Sequence, residues 1–297
     1  MQFRHSWPAL AVVTALLLTG CVDNSSSAVG APKGAAAPVT KDDGAAALLP
    51  KTIAASGKLR VGTSPNYAPN EFKDEAGTPI GWGVELADAL AGKLGLTPEL
   101  TVAQFDNIIP SVTGAKADIG ESSFTDTVER EKQVDFVNYY TAGIAWAAAA
   151  GKTVDPEKAC GLKVAVQSTT FEDTTEVPAK SAACVAAGKP AIEKMKFDAQ
   201  DAATNAVILG QADALSADSP VTQYAIKRSS GKLEAAGQTF DVAPYGIVVA
   251  KGSNLGKAVQ AALQSMVDDG SYAKILDRWG VADGGIDKIT INTAANG

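Results

Sequence analysis

With 297 residues, 46% of them hydrophobic and 20% charged, the chain has the composition of a globular protein with room for two domains or two lobes. Its net charge of −7 and its scattered lysines and arginines provide no basic patch for nucleic acid. The only histidine, His5, lies in a segment expected to be removed, which excludes Ser-His-Asp, Cys-His and His-containing zinc sites from the mature chain. Carboxylates, lysines and hydroxyls remain as possible catalytic groups, so an enzyme is disfavoured without being excluded, and no cofactor or metal is expected.

The N-terminus has the pattern of a cleaved leader. Residues 7–20 form an apolar run after Arg4 that is too short to span a bilayer comfortably. The run ends in LTGC, residues 18–21, which resembles the lipobox of bacterial lipoproteins, where cleavage precedes a cysteine that carries lipid. We predict a signal peptide over residues 1–20 and lipidation of Cys21. An ordinary signal peptide followed by a chance cysteine is the alternative.

The segment after Cys21 is rich in Ser, Ala, Gly and Pro and has no apolar periodicity up to residue 44. This composition is typical of a flexible chain. We therefore assign residues 21–52 to a lipidated flexible tether.

Two further cysteines, Cys160 and Cys184, belong to the exported part of the chain. Oxidising surroundings make a disulfide between them the expected state, and such a bridge stiffens a local unit without taking part in chemistry. Two free buried thiols are the alternative.

Short strands and helices alternate from about residue 53. The first run has strands at 59–62, 100–102 and 118–120, with helices from Val84 to about Gly95 and at 108–113. The second run has strands at 162–166, 194–197 and 214–217, with helices around Cys184, at 202–209 and from Ser219-Pro220. A strand at 245–249 and helices at 255–267 and 272–279 follow, and the residues from 282 read as a loosely held tail. The alternation predicts parallel sheets covered by helices on both faces.

A series of short motifs then indicates a family. In order along the chain they are LRVGT (59–63), YAP (67–69), GW (81–82), FDNIIP (105–110), SSFT (122–125), QVDF (133–136), KVAVQS (163–168), DSP (218–220) and YGI (245–247). Their order and spacing resemble the family 3 extracellular solute-binding proteins of ABC importers, the polar amino-acid receptors, over about residues 53–280.

The resemblance implies an α/β fold of the two-lobed, periplasmic-binding-protein-like type II class, in which the chain crosses twice between lobes. Lobe 1 would comprise 53–141 and 245–281, lobe 2 would comprise 142–244, and 282–297 would be a tail. The implied function is capture of an amino acid by lobe closure and its delivery to an ABC transporter permease. The protein would be a monomer anchored by lipid to the outer face of the bacterial cytoplasmic membrane.

Arg130 is the strongest binding candidate. It falls in the first turn of a helix that Thr127 is expected to cap, where a cation is disfavoured by the helix dipole. Its guanidinium suits bidentate recognition of a ligand carboxylate, which is also the role that the resemblance implies. Thr125 would add a hydroxyl to the carboxylate, and Ser123 would offer backbone groups to the ammonium. An ordinary surface ion pair for Arg130 and turn or capping roles for the other two are the alternatives.

The remaining candidates come from both implied lobes. Thr170 and Gln167 lie in a strand-to-helix loop whose N–H groups suit an anion. Asp218 would bind the ligand ammonium, with a helix cap as the alternative. Tyr67 and Phe105 match aromatic positions that enclose the ligand side chain, and core packing is the alternative.

Four residues depart from the family pattern: Ser64, Asn70, Gly83 and Glu121. The absence of an acid at position 64 argues against a cationic ligand, whereas Glu121 would argue for one if it faced the cleft. We predict a neutral polar or acidic amino acid.

Two other functions fit the same fold. One is an exported prephenate- or arogenate-type dehydratase, for which Glu121 or Glu172 would be the proton donor. The other is a receptor that signals without transport.

Overall fold

The computed structural model describes residues 1–2 and 39–294. Residues 39–294 belong to one compact unit. Its helices are α1 (Asp43–Ala47), α2 (Lys51–Ser56), α3 (Trp82–Lys93), α4 (Ile108–Thr113), α5 (Val128–Glu131), α6 (Val177–Ala186), α7 (Gln200–Ile208), α8 (Ser219–Arg228), α9 (Asn254–Asp268) and α10 (Ser271–Trp279). Its strands are β1 (Lys58–Thr63), β2 (Phe72–Lys73), β3 (Pro79–Ile80), β4 (Thr97–Val102), β5 (Ile119–Thr125), β6 (Val134–Ala149), β7 (Lys163–Gln167), β8 (Glu193–Phe197), β9 (Ala214–Asp218), β10 (Leu233–Ala250) and β11 (Gly285–Ile291).

One mixed sheet runs through the molecule in the order β4-β1-β5-β10-β6-β9-β7-β8. At one end β1 pairs in parallel with β4 and β5, and at the other β7 pairs in parallel with β8 and β9. The long strands β6 and β10 lie between these groups and pair antiparallel with each other. Parallel strands joined through helices are what the alternating sequence pattern predicts.

The two parallel groups define two lobes, each with its own core. The first lobe contains β1, β4 and β5, and its largest core surrounds Trp82 and Leu90 of α3 and Val259 of α9. The second lobe contains β7, β8 and β9, with cores around Trp146 and Leu215. The strands β6 and β10 enter both lobes, and the register of β10 against β6 shifts between Ala236 and Ala243. These two strands are the double crossing of the predicted type II fold.

Both ends of the described chain are more ordered than the sequence pattern indicates. Residues 39–52 were expected to belong to the tether, yet Asp42 caps α1, Ala45 is buried in the first-lobe core and α1 packs against α9. The expected tail after 282 contains β11, which pairs antiparallel with β6, and Ile289 is buried in the same core. Isolated apolar residues anchor each segment, a signal too sparse for periodicity to detect.

The predicted disulfide between Cys160 and Cys184 is present, with their Cα atoms 5.5 Å apart. It joins the loop before β7 to α6 and packs at the edge of a second-lobe core. The predicted signal peptide and the lipidation site Cys21 lie outside the described residues. Within residues 1–2 and 39–294, none of the helices combines the length and hydrophobicity needed to cross a bilayer.

Candidate ligand-binding site

A cavity between the two lobes collects all eight binding candidates. Part of this cavity is open to solvent. The first lobe contributes residues that follow β1 and β4, residues at the end of β5, and Arg130 of α5; the second contributes residues at the ends of β7 and β9. Ligands generally bind at such carboxyl ends of strands in open α/β sheets. The candidates lining the cavity are Tyr67, Phe105, Ser123, Thr125, Arg130, Gln167, Thr170 and Asp218.

Arg130 lies in the short helix α5, whose N-cap Thr127 accepts a hydrogen bond from the Arg130 backbone N–H, as predicted. The guanidinium donates to the carbonyl oxygen of Thr125 at 2.8 Å and, across the cavity, to that of Thr169 at 3.0 Å. Its carbon lies 5.6 Å and 5.5 Å from the ring centres of Phe105 and Phe124, which stack on each other. These two hydrogen bonds use two of five guanidinium donors, so the group retains capacity for a carboxylate.

Asp218 ends β9 and is the N-cap residue of α8, although its side chain makes no capping hydrogen bond. Instead, its Oδ2 accepts a 2.7 Å hydrogen bond from the Tyr67 hydroxyl of the first lobe. Burial raises the pKa of Asp218, while the bond from Tyr67 and the charge of Arg130 oppose that rise. The carboxylate is thus free from helix capping and faces the cavity.

Glu172 is a second buried acid beside Asp218. It is 1% exposed and has one carboxyl oxygen, Oε1, that is buried without a partner. Burial and the neighbouring charge of Asp218 raise the pKa of Glu172 well above its usual range. Burial lowers the pKa of Arg130, and the charges of Glu172 and Asp218 oppose this decrease. Asp218 and Glu172 are thus two acids near Arg130, of which Asp218 lines the cavity.

The loop after β7 uses much of its own polar capacity internally. The Thr170 hydroxyl donates to the carbonyl of Gln167 at 2.9 Å, and the Thr169 N–H donates to the carboxylate of Asp173 at 2.8 Å. The Gln167 amide donates to Asn66 of the first lobe at 3.1 Å, while its Oε1 is buried without a partner. This loop thus offers fewer free N–H groups to an anion than its sequence position indicates.

Ser123 is held from behind by a buried polar network. Its backbone is in the left-handed region at φ 52°, and its hydroxyl donates to Glu71 Oε1 at 2.9 Å while accepting from Asn70 at 2.9 Å. Asn70 in turn accepts from the indole N–H of Trp82. Asn70, a departure from the family pattern, thus connects α3 to the binding loop, and the Ser123 hydroxyl is already engaged.

Glu121 does not line the cavity. It lies on the α3 side of β5, where Tyr139 donates to its Oε1 at 2.8 Å and Glu71 is its acidic neighbour. A Cβ atom on Gly83 would come within 2.2 Å of a Glu71 oxygen and 2.9 Å of both Glu121 oxygens. Only glycine leaves room for this acid pair, which accounts for the absence of a side chain at position 83.

Four cavity residues were not among the candidates: Ser64, Asn66, Ser122 and Phe171. Three of them are chain neighbours of predicted residues, so the cavity is lined by the predicted loops through more residues of each loop than the sequence indicates. From the sequence, Ser64 is only a departure from the family pattern, and Glu172 is only a proton donor in the dehydratase alternative.

Residues 59–282 match the model of the bacterial extracellular solute-binding proteins, family 3. The chain belongs to this family. The arginine-binding protein ArgT of Corynebacterium glutamicum is 40% identical over 287 residues, covering 95% of this chain and 93% of that protein.

Solved structures agree with this assignment. An ancestral arginine-binding protein bound to arginine superimposes with a TM-score of 0.69 at 35% identity, covering 75% of this chain and 98% of that one. A structure of an ancestral arginine-binding protein bound to glutamine gives a TM-score of 0.68 at 35% identity, covering 76% of this chain and 98% of that one. The ancestral amino acid-binding protein AncCDT-1, a precursor of cyclohexadienyl dehydratase, gives 0.67 at 34% identity and covers 77% and 97%. The family is extracytoplasmic, and these relatives bind amino acids.

Proposed function

We propose that this protein captures an amino acid between its lobes and delivers it to an ABC transporter. The observation that carries the proposal is that one cavity collects the eight candidates, with Arg130 from the first lobe and Asp218 from the second. Arg130 and the Thr125 hydroxyl hold the α-carboxylate, and Asp218 with backbone groups of Ser123 holds the α-ammonium. Tyr67 and Phe105 enclose the side chain, and Gln167 and Thr170 complete the second-lobe wall.

The proposed rigid bodies are lobe 1, residues 53–141 and 245–281, and lobe 2, residues 142–244. Hydrogen bonds across the cavity from Tyr67 to Asp218 and from Arg130 to Thr169 support a closed arrangement of these bodies. Opening and closing require the strands β6 and β10 to bend where they pass between the lobes, at the register shifts of β10.

L-Arginine is the ligand that we propose. Glu172 is buried beside Asp218, and burial favours its uncharged form, so a cationic ligand side chain close to it would stabilise the charged form as a neutral side chain would not. The names of the relatives above point the same way. This proposal replaces the expectation of a neutral polar or acidic ligand, which was based on the missing acid at position 64. L-Glutamine is the matched competitor, because the ancestral relative binds it too.

A thermal-shift screen of the purified protein against the twenty amino acids tests the proposal. A ligand at 100 times its dissociation constant adds about 2.7 kcal/mol to the free energy of unfolding. We expect the largest shift with L-arginine and a smaller one with L-glutamine at the same concentration. Absence of a shift with every amino acid would refute the binding function.

Delivery to a transporter and the absence of catalysis have separate tests. Deleting the gene should abolish uptake of labelled arginine by the producing cells, whereas a receptor used only for signalling would leave uptake intact.

Incubation with prephenate or arogenate should give no change in product absorbance, and turnover would support the dehydratase alternative.

Cys21 is the proposed lipid anchor to the outer face of the cytoplasmic membrane. The wild-type protein should partition into detergent and Cys21→Ser should not, with ligand binding unchanged in both. A wild-type protein that stays in the aqueous phase would contradict the anchor.

The protein is proposed to act as a monomer, which size-exclusion chromatography with light scattering checks.

A further inference from the structure

The residues after β11 reach the segment that carries Arg130. β11 pairs with β6, and the backbone groups of Ile289 are held by the side chains of Gln260 and Gln264 on α9. Asn292 then turns the chain with φ 51°, a conformation that asparagine adopts more readily than most residues. Its side chain accepts from the Phe136 N–H and donates to Asp135, each at 2.8 Å. The end of the described chain is therefore fixed to β6.

Two backbone N–H groups beyond this turn donate to acids on either side of Arg130. The Thr293 N–H donates to Asp126 Oδ2 at 2.8 Å, and the Ala294 N–H donates to Glu131 Oε1 at 3.1 Å. Asn138 of β6 donates at 2.8 Å both to the same Asp126 oxygen and to the Thr293 hydroxyl. Residues 292–294 thus connect β6 to the segment 125–131 at both of its ends; we call residues 292–294 the C-terminal clamp.

The clamp bears on the binding group itself. Asp126 directly follows Thr125, whose carbonyl accepts from the Arg130 guanidinium, and Asp126 attracts the charge of Arg130. Asp126 is 3% exposed, and its Oδ1 is already buried without a partner. If the Thr293 N–H were removed, the poorly satisfied carboxylate would compete more strongly for the nearby guanidinium. Because the N–H groups of the clamp bind these acids, the Arg130 guanidinium remains available to a ligand in the cavity.

We infer that the C-terminal clamp is a positioning element of the binding site, which sets the affinity for the ligand α-carboxylate by holding the segment 125–131. The inference rests on the proposed function of Arg130. It involves residues beyond the family match, which ends at residue 282.

The test compares Thr293→Pro, which lacks the N–H, with Thr293→Ala, which keeps it, in the full-length protein. Calorimetric titration uses L-arginine and L-argininamide, the second of which lacks the carboxylate. Thr293→Pro should weaken L-arginine binding about tenfold and L-argininamide binding less than twofold, since only the carboxylate depends on the clamp. Thr293→Ala should change both affinities less than threefold. Equal losses for both ligands with Thr293→Pro, or no loss, would overturn the inference.

Hydrogen–deuterium exchange without ligand tests the clamp whichever molecule the protein binds. Hydrogen–deuterium exchange of the peptide covering residues 126–131 should accelerate about tenfold in Thr293→Pro, while exchange of β7 stays unchanged. If Thr293→Pro does not fold, Ala294→Pro removes the donor to Glu131 instead, and the same peptide is followed. Unchanged exchange in a folded proline variant would refute the clamp, whereas failure of wild type to bind any amino acid would refute only the proposed function.

Discussion

The buried pair of Glu71 and Glu121 makes the stability of this protein depend on pH. Both residues are nearly inaccessible, at 0% and 1% exposure, and each has an Oε2 atom that is buried without a partner. Burial raises the pKa of Glu121 to about 7 from 4.5, with the bond from Tyr139 opposing the rise. Burial and the charge of Glu121 raise the pKa of Glu71 well above its usual range. Two adjacent carboxyl groups in such surroundings retain protons that the unfolded chain releases.

The direction of the effect follows from proton counting. Between pH 4.5 and 7 the folded protein binds a proton on Glu121 that the unfolded chain has lost, so the free energy of unfolding decreases as pH rises. The contribution is complete below pH 4.5 and is lost above pH 7. A difference of about 2.5 pH units corresponds to about 3 kcal/mol. Glu121→Gln, which cannot ionise, should therefore be less sensitive to pH by about this amount.

Chemical denaturation of both proteins at pH 4.5, 5.5, 6.5 and 7.5 measures the effect. Glu176 has a pKa of about 7 as well, but it remains in both proteins, so the difference between the two curves isolates the pair. Glu75→Gln, on an exposed turn, is the matched control and should follow the wild-type curve. Parallel wild-type and Glu121→Gln curves, differing by less than about 1 kcal/mol in their pH-dependent change, would refute the reasoning.

Three further predictions concern binding and stability. Arg130→Ala and Asp218→Asn should each weaken binding tenfold or more in calorimetric titration, since a charge-assisted hydrogen bond contributes roughly 1.5 to 3 kcal/mol. The circular dichroism spectrum should stay unchanged in both variants. Undiminished affinity in either variant would contradict the site. Glu172→Gln should lower the affinity for L-arginine about tenfold and that for L-glutamine less than twofold, because only L-arginine has a cationic side chain for this acid to bind; equal losses would argue against Glu172 as the partner of that side chain. Replacing both Cys160 and Cys184 with serine should reduce the free energy of unfolding by about 3.5 kcal/mol for a bridge spanning 24 residues, measured by urea denaturation, and reductant should reproduce the loss in wild type.

Local sequence signals predicted most of the helices and strands, whereas the two lobes and most candidate site residues came from the resemblance to the family. The helix α9 shows an apolar stripe that periodicity detects, and Arg130 was identified because a cation in the first turn of a helix is locally disfavoured. Both signals lie within a few residues of the feature that they predict.

Features that depend on distant partners were missed. The strand β6 was not predicted because its pairing partners are β9, β10 and β11, all far along the chain, and its run of small residues has no clear alternation. The acid pair unites residues 50 positions apart, and nothing near either one indicates the other. The position of Glu172 behind Asp218 depends on how the second lobe packs, which no local pattern encodes.

The charges around the cavity connect ligand choice to lobe closure. In the closed arrangement, Tyr67 and Arg130 reach across to the second lobe while Asp218 and Glu172 are buried beside them. Closing an empty cleft removes both acids from water, and desolvation then favours the protonated form of Glu172. In the proposed function, the cationic side chain of the ligand stabilises the charged form of Glu172, and the ligand α-carboxylate uses the free donors of Arg130. In the proposed function, the ligand that binds the closed cavity best is therefore also the one that most favours closure. A ligand shifts the equilibrium between the open and closed forms only by binding one form more tightly than the other.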